Sequence, residues 1–268
     1  MRMTSSVSFM YLFLLLGCVN RNANPVSTAI DTVQLQVSTI ETNPLLDTPA
    51  FDLDYLMGRF EPAEHPDFVP VKAAHASREG LYLHRETYKA FLSMYEAAKA
   101  DGVNLKILSA TRNFNQQKVI WEDKWTGRRL VDNKVNLAQS MADPVERALK
   151  ILEYSSMPGT SRHHWGTDID LNNLNNAYFE KGEGAKVYAW LQEHAPEYGF
   201  CQPYTAGRTQ GYQEEKWHWS YSPLSQSLTN LAAAQLKNTD FKGFMGAETA
   251  AKIGVVEKYV LGIAPACR

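Results

Sequence analysis

Two short stretches decide how this chain is interpreted: Pro158–Leu171, with the sequence PGTSRHHWGTDIDL, and Glu215–Tyr221, with the sequence EKWHWSY. The first supplies His163 and, seven residues later, Asp170, and the second supplies His218. Two imidazoles and one carboxylate are a common set of protein ligands for a catalytic zinc ion, with the fourth tetrahedral position left open. The pattern therefore predicts a zinc site built from these three side chains.

A candidate base accompanies the ligands. Glu215 stands three residues before His218, where a carboxylate beside zinc can accept the proton of an attacking water. Glu214 is the neighbouring alternative, and either residue could instead be a solvated loop carboxylate. His164 is expected to lie beside the ligands or on the surface, without binding the metal. Together these residues favour a hydrolase.

Two strands are predicted around the ligands, because polar and apolar residues alternate over 167–171 and 217–221. Asp168 and Asp170 share one face of the first strand, since side chains repeat every two residues. Spacing alone does not decide which aspartate binds the metal. Two aspartates in a half-buried strand are costly unless a cation or hydrogen bonds compensate, which is a physical reason to expect a metal here.

The order of the remaining elements predicts an α+β fold with a small, mainly antiparallel sheet, helices packed on one side and the zinc site on the sheet. A further strand is expected over 105–110, directly before Arg112. Helical patterns are predicted over 86–100, 113–125, from Asp143 to before Pro158, 184–194 and 223–237, with one or two short helices after 241.

These motifs resemble the zinc D-alanyl-D-alanine carboxypeptidases of the vancomycin-resistance type, in the lysostaphin-like, D-Ala-D-Ala-cutting and hedgehog-like metallopeptidase group. The family pattern, Ser-x-His-x-x-Gly-x-Ala-x-Asp followed by Glu-x-x-His, is met by Ser161, His163, Gly166, Asp170, Glu215 and His218. The resemblance implies that His163, Asp170 and His218 hold zinc and that Glu215 is the general base. Asp168 departs from the pattern by replacing a small residue.

The segment 109–117, SATRNFNQQ, is similar to the family's Ser-Gly-Tyr-Arg-Ser-x-x-x-Gln. The resemblance implies that Arg112 grips the terminal carboxylate of the substrate, for which a guanidinium is suited. Ser161 matches a substrate-contacting serine, with capping of the following turn as the alternative. Gln117 is expected to bind substrate or to steady the site. Ala110 and Thr111 replace Gly-Tyr or Gly-Phe, a departure that bears on the shape of the pocket.

The N-terminus predicts export. Val7–Leu16 is an apolar run of about ten residues, too short to span a bilayer but typical of a secretory signal. The following Gly17-Cys18 completes a likeness to a bacterial lipobox, so Cys18 is expected to carry lipid; a plain signal peptide or a short uncleaved anchor is the alternative. Cys201 and Cys267 then form an even pair, for which a disulfide is expected. The predicted location is the cell envelope, lipid-anchored and facing the periplasm or exterior.

Four segments are predicted: a lipoprotein signal peptide at 1–17, a tether at 18–50, a metallopeptidase domain at 51–235 and a C-terminal helical extension at 236–268. The formal net charge of −2 gives no reason to expect a nucleic-acid partner. The expected function is zinc-dependent D,D-carboxypeptidase activity that removes the terminal D-Ala from peptidoglycan stem peptides. The alternatives are a peptidoglycan endopeptidase or an L,D-carboxypeptidase on the same scaffold, or a non-catalytic zinc-stabilised cell-wall-binding lipoprotein; Glu215 favours an enzyme.

Overall fold

The computed structural model describes residues 51–268. The predicted signal peptide, the lipid-bearing Cys18 and the tether lie outside the described residues. The described part of the chain forms one compact unit, and the boundary expected at 235 stays a prediction. No helix within residues 51–268 has both the length and the apolar character needed to span a membrane.

The β structure is antiparallel, as predicted, but it consists of two small sheets instead of one. The strands are β1 (Phe68–Pro70), β2 (Tyr82–His84), β3 (Ile107–Ser109), β4 (Asp168–Leu171), β5 (Phe200–Cys201) and β6 (His218–Tyr221). Strands β1 and β2 pair with each other, and the other four follow the order β3-β4-β6-β5. The sequence predicted β3, β4 and β6 but missed β1, β2 and β5, because two or three residues are too few to show alternation.

The helices are α1 (Leu53–Leu56), α2 (Arg85–Ala100), α3 (Phe114–Trp125), α4 (Leu137–Ser140), α5 (Pro144–Ile151), α6 (Gly182–His194), α7 (Ser222–Gln235) and α8 (Thr249–Ile253). The five predicted helices are all present as α2, α3, α5, α6 and α7, but α5 stops at Ile151, about two turns before Pro158.

One face of the four-stranded sheet is apolar and is covered by α2 and α6. The buried side chains there include Phe91, Met94, Ile107, Ile169, Leu171, Val187, Leu191 and Trp219. Burying each large apolar side chain stabilises the fold by roughly 1.5–3 kcal/mol relative to leaving it exposed. Helices α2 and α6 therefore cover this face, and polar side chains occupy the opposite face. The expectation that the helices pack on one side holds for α2 and α6 but not for α7, whose Thr229 bonds Arg162 at the polar face.

That polar face is set by the register of β4 and β6. Asp168 is paired with Ser220, and Asp170 is paired with His218. Since side chains alternate along a strand, all four residues project to the side away from α2 and α6. The pairing therefore brings a histidine beside two aspartates that are separated from it by about 50 residues of sequence.

A second apolar cluster joins α3, α5, α7 and α8 on the other side of the molecule. The C-terminal residues Phe241, Phe244 and Val256 are buried in the same cluster. A disulfide between Cys201 in β5 and Cys267 ties the last turn of the chain to the sheet, across a sequence separation of 66 residues. The predicted disulfide is confirmed.

Candidate metal centre

The first ligand lies in a tight turn before β4. His163 belongs to the 3₁₀ segment Arg162–Trp165, which ends at Gly166 with a left-handed φ of 73°. A Cβ atom at Gly166 would lie 2.4 Å from the ring of Phe68, so only glycine fits between the turn and that ring. The turn is thereby held against β1 while His163 points to the polar face of the sheet.

His163, Asp170 and His218 converge, each offering one donor atom within 4.8 Å of the others. The Nε2 atom of His163 lies 3.3 Å from Oδ2 of Asp170, and the Nδ1 atom of His218 lies 3.1 Å from Oδ1 of the same carboxylate. Oδ1 of Asp170 has no hydrogen bond to any described residue, although it is buried. The three side chains therefore face a common point.

Each histidine is fixed by its remaining nitrogen. Nδ1 of His163 lies 2.8 Å from the carbonyl oxygen of Ala110. A carbonyl only accepts, so Nδ1 carries the proton and Nε2 keeps its lone pair for a ligand. In His218, Nε2 lies 2.8 Å from Oδ2 of Asp168, which leaves Nδ1 as the atom that faces Asp170.

These residues fit a zinc ion. Two imidazole nitrogens and one carboxylate oxygen without a hydrogen bond meet in a buried place, and the back of each imidazole is anchored by an acceptor, as is usual for metal-binding histidines. Burial alone would raise the pKa of Asp170, but the adjacent imidazoles outweigh it and hold that pKa well below its usual range. The carboxylate is therefore ionised, as a metal ligand must be.

The spacing did not decide whether Asp168 or Asp170 faces the metal site. In the structure, Asp168 contacts the far nitrogen of His218 and does not join the converging donors. Its Oδ1 accepts hydrogen bonds from the hydroxyls of Thr167 and Ser220, and its Oδ2 accepts from Nε of Arg162 at 3.1 Å. Burial favours the neutral form of Asp168, but Arg162 and His218 outweigh burial and lower its pKa. This carboxylate is therefore charged and fully bonded.

Arg162 completes the support beneath the ligands. Its side chain is only 1% exposed. Besides Asp168, it donates to Thr229 in α7 and to Ser220 in β6, and its guanidinium lies 4.7 Å from the ring of Trp165. A buried arginine needs such a full set of partners. The sequence interpretation missed this role, although Asp168 departing from the family pattern was the available signal.

Glu215 lies beside the converging donors, in the loop before β6. Its Oε2 is 3.4 Å from Nδ1 of His218, and its backbone N–H donates to the carbonyl of Tyr204. Burial raises the pKa of Glu215, while His218 and Arg112 act against the rise. Glu214 is half-buried and does not line the cavity in front of the ligands. The geometry thus favours Glu215 as the base.

Arg112 reaches the same place from the loop between β3 and α3. Its Nη1 lies 3.7 Å from Oδ2 of Asp170, and its Nε donates to Oε1 of Gln117 at 2.9 Å. Gln117 in turn donates from Nε2 to the carbonyl of Ser156. Both ends of the Gln117 amide are therefore engaged, and this residue steadies Arg112 and the loop around Ser156.

Ser161 and His164 are both buried near the ligands, but within residues 51–268 only the side chain of His164 has hydrogen-bond partners. The Oγ atom of Ser161 is buried without a hydrogen-bond partner among the described residues, lines the cavity and does not cap the following turn, so the capping alternative is wrong. His164 is fully buried, so of its two predicted positions the one on the surface is excluded, and the one beside the ligands agrees with the structure. Its Nδ1 donates to the carbonyl of Arg112 and its Nε2 accepts from Gly159, which requires the neutral ring. Burial lowers the pKa of His164 to about 3.

A cavity of about 600 Å³ opens in front of these groups. Its inner end holds the converging donors, Glu215, Arg112 and Ser161. Tyr204 also lines it, with its ring 4.7 Å from the ring of His218. The cavity is large enough for a short peptide, given that pockets for small ligands span about 300–1,000 Å³.

Metal donors anchored from behind, with a carboxylate beside them and an open cavity in front, are the arrangement of a metallopeptidase. Residues 80–224 match the VanY family, described as D-alanyl-D-alanine carboxypeptidase. This match covers more than half of the chain, and the chain belongs to that family.

Individual relatives agree with the family. The provisionally named carboxypeptidase YodJ of Bacillus subtilis is 30% identical over 62% of this chain and 56% of its own length. A D-alanyl-D-alanine carboxypeptidase of Enterococcus faecalis is 28% identical over 48% of this chain and 44% of its own length. The chain thus spans about half the length of these curated relatives. A solved structure of VanYB in complex with D-Alanine-D-Alanine is 25% identical, covering 62% of this chain and 88% of that one with a TM-score of 0.43.

Proposed function

We propose that this protein is a zinc-dependent D,D-carboxypeptidase that removes the terminal D-Ala from peptidoglycan stem peptides. The observation that carries the proposal is the position of Glu215, 3.4 Å from the ligand nitrogen of His218 and buried in the same cavity. A binding protein that used the metal only for stability would have no need for a buried carboxylate at that point, because burying it is costly.

His163, Asp170 and His218 would hold the metal, with Asp168 keeping the ring of His218 in place. Zinc bound there would polarise the scissile carbonyl and lower the pKa of water. Glu215 takes the proton from the attacking water and delivers it to the leaving amine of D-Ala. The raised pKa of Glu215 suits both tasks, because a base that must also act as an acid works best with a pKa near the operating pH.

Arg112 and Ser161 hold the end of the substrate. The Nη1 atom of Arg112 stands 3.7 Å from Asp170, so a terminal carboxylate bound by this guanidinium lies within a few ångströms of the ligands. The free hydroxyl of Ser161, in the same wall, is available to bond the peptide. The choice of a carboxypeptidase over an endopeptidase rests on this cation next to the reacting bond.

The test is D-Ala release, followed by mass spectrometry, from a pentapeptide ending in D-Ala-D-Ala with the zinc-loaded full-length protein. We expect release, and we expect Glu215→Gln to reduce it by about 10²–10⁴-fold while zinc content stays unchanged. Cleavage of cross-linked muropeptides alone would instead identify an endopeptidase. D-Ala release from a tetrapeptide alone would identify an L,D-carboxypeptidase. No cleavage of any of the three by zinc-loaded protein would overturn the enzyme proposal.

A further inference from the structure

The outer end of the cavity carries two cations that the proposed chemistry does not use. Lys124 lies half-buried in the last turn of α3, and Arg129 lies exposed in the loop that follows; both line the cavity. Within residues 51–268, neither side chain has a carboxylate oxygen within the 4.0 Å that defines an ion pair. Their neighbours Lys118 and Arg128 do have such partners, Glu122 and Asp123 respectively.

Lys124 is held in place without being neutralised. Its Nζ donates one hydrogen bond, of 2.6 Å, to Oγ of Ser155. An ammonium has three donors, so two remain for another ligand. Burial lowers the pKa of Lys124 and the charge of Arg129 lowers it further, while Glu215 and Asp132 act in the opposite direction. A carboxylate arriving at this point would offset the electrostatic cost of the buried ammonium.

The acidic residue at this end of the cavity already has a partner. Asp132 lies 2.9 Å from Nζ of Lys150, which also contacts Glu153 at 2.6 Å. Lys150 carries one positive charge against two carboxylates, so Asp132 still raises the pKa of Lys124, but it forms no ion pair with Lys124 or Arg129. Two cations without a close carboxylate thus dominate the outer end of the cavity.

Exposed apolar side chains line the same end. Leu130, Tyr154 and Leu174 are 42%, 43% and 56% exposed, and all three line the cavity. They are three of only six large apolar side chains that are exposed within residues 51–268. Concentrating them at one opening is expected for a binding surface rather than for ordinary surface residues. The groove therefore offers apolar contacts and two cations to the part of a peptide that precedes the cleaved bond.

We propose that Lys124 and Arg129 bind a second substrate carboxylate, carried by the side chain of the residue that precedes the two terminal D-alanines. This inference rests on the proposed function, in which Arg112 takes the C-terminal carboxylate at the inner end. The substrate class becomes peptides with two carboxylates, one at the terminus and one upstream of the cleaved bond. Lys124 and Arg129 are then specificity residues.

The experiment compares acetyl-L-Glu-D-Ala-D-Ala with acetyl-L-Gln-D-Ala-D-Ala, which differ only in the charge of one side chain. D-Ala release by the zinc-loaded full-length protein gives kcat/KM for each peptide. The variants are Lys124→Met and Arg129→Gln, singly and together. Lys118→Met on the same helix and Arg128→Gln in the same loop are matched controls outside the cavity.

We expect the wild type and both controls to prefer the Glu peptide by about tenfold, the value of one charged hydrogen bond. In the double variant, kcat/KM for the Glu peptide should fall to the value for the Gln peptide, and kcat/KM for the Gln peptide should stay unchanged. A wild-type ratio near one, or a ratio unchanged in the double variant, would overturn the inference. If neither peptide is cut, the proposed function fails, and binding of both peptides to zinc-loaded Glu215→Ala is measured by calorimetry. Tighter binding of the Glu peptide that depends on Lys124 and Arg129 would still support the inference. Equal or absent binding would overturn the inference as well.

Discussion

The Nε2 atom of His218 lies 2.8 Å from Oδ2 of Asp168, and Nδ1 of the same ring lies 3.1 Å from Oδ1 of Asp170. One imidazole is therefore held between two aspartates of a single strand, two residues apart. The carboxylate on the Nε2 side has four hydrogen-bonding partners, whereas the oxygen on the Nδ1 side has none among the described residues. This asymmetry separates the aspartate that orients His218 from the aspartate that is free to bind a metal.

Removing the orienting carboxylate should weaken metal binding. In Asp168→Asn, His218 loses a charged acceptor that fixes its ring, so zinc affinity is expected to fall by about 10–100-fold. The measurement is competition with a zinc chelator. The double variant Arg162→Met with Asp168→Ala is the control for folding, because replacing a buried ion pair as a unit leaves no unpaired charge. Zinc affinity as high as that of the wild type in both variants would contradict the role of Asp168.

Replacing Arg112 by lysine should weaken the binding of peptides that end in a free carboxylate and should leave the binding of C-terminal amides nearly unchanged. Lys keeps the charge but lacks the planar fork and the Nε donor that bonds Gln117. We expect the KM for a pentapeptide with a free terminal carboxylate to rise by about tenfold. Binding of the same peptide with a C-terminal amide, measured by calorimetry, should change little. An equal loss for both peptides would instead indicate a structural defect.

The pH dependence of stability should report on His84, which caps α2. Its Nδ1 accepts a hydrogen bond from the backbone N–H of Glu86, and the ring is buried. Burial lowers the pKa of His84 more than the charges of Asp67 and Glu86 raise it. The unfolded chain therefore takes up a proton before the folded chain does as the pH falls.

Consequently the free energy of unfolding should decrease as the pH falls from about 6.5, the pKa of His84 in the unfolded chain, toward the lower pKa of His84 in the folded chain. His84→Asn keeps a capping acceptor but does not titrate. Urea unfolding at a series of pH values between about 7.5 and 5 should show a shallower decline for the variant. Parallel curves for the two proteins would refute this assignment.

Breaking the disulfide should destabilise the fold without touching the metal centre. Cys201 and Cys267 close a loop of 66 residues, and removing such a link typically costs about 2–4 kcal/mol. Urea unfolding of Cys267→Ser should show this loss, and a reductant should lower the stability of the wild type to a similar extent. Zinc affinity measured in the native range should stay unchanged. A wild type indifferent to the reductant would contradict the expectation.

The sequence by itself predicted the three converging residues His163, Asp170 and His218 and the neighbouring Glu215. It also predicted the longer helices, strands β3, β4 and β6, and the disulfide. Several of these predictions rest on local patterns: alternation places Asp168 and Asp170 on one face, and Glu215 precedes His218 by three residues. Local patterns of this kind can be recognised in the sequence, because they depend on chain geometry over a few residues.

Only the tertiary structure decided the roles that depend on which atom faces which partner. It assigned Asp168 to the back of His218, buried His164 between two loops, and used both ends of the Gln117 amide for support. It also brought Lys124 and Arg129 to the outer end of the cavity whose inner end holds the metal donors. Hydrogen bonds act over about 3 Å, whereas these partners are separated by up to about 50 residues of chain, so only packing could bring them together.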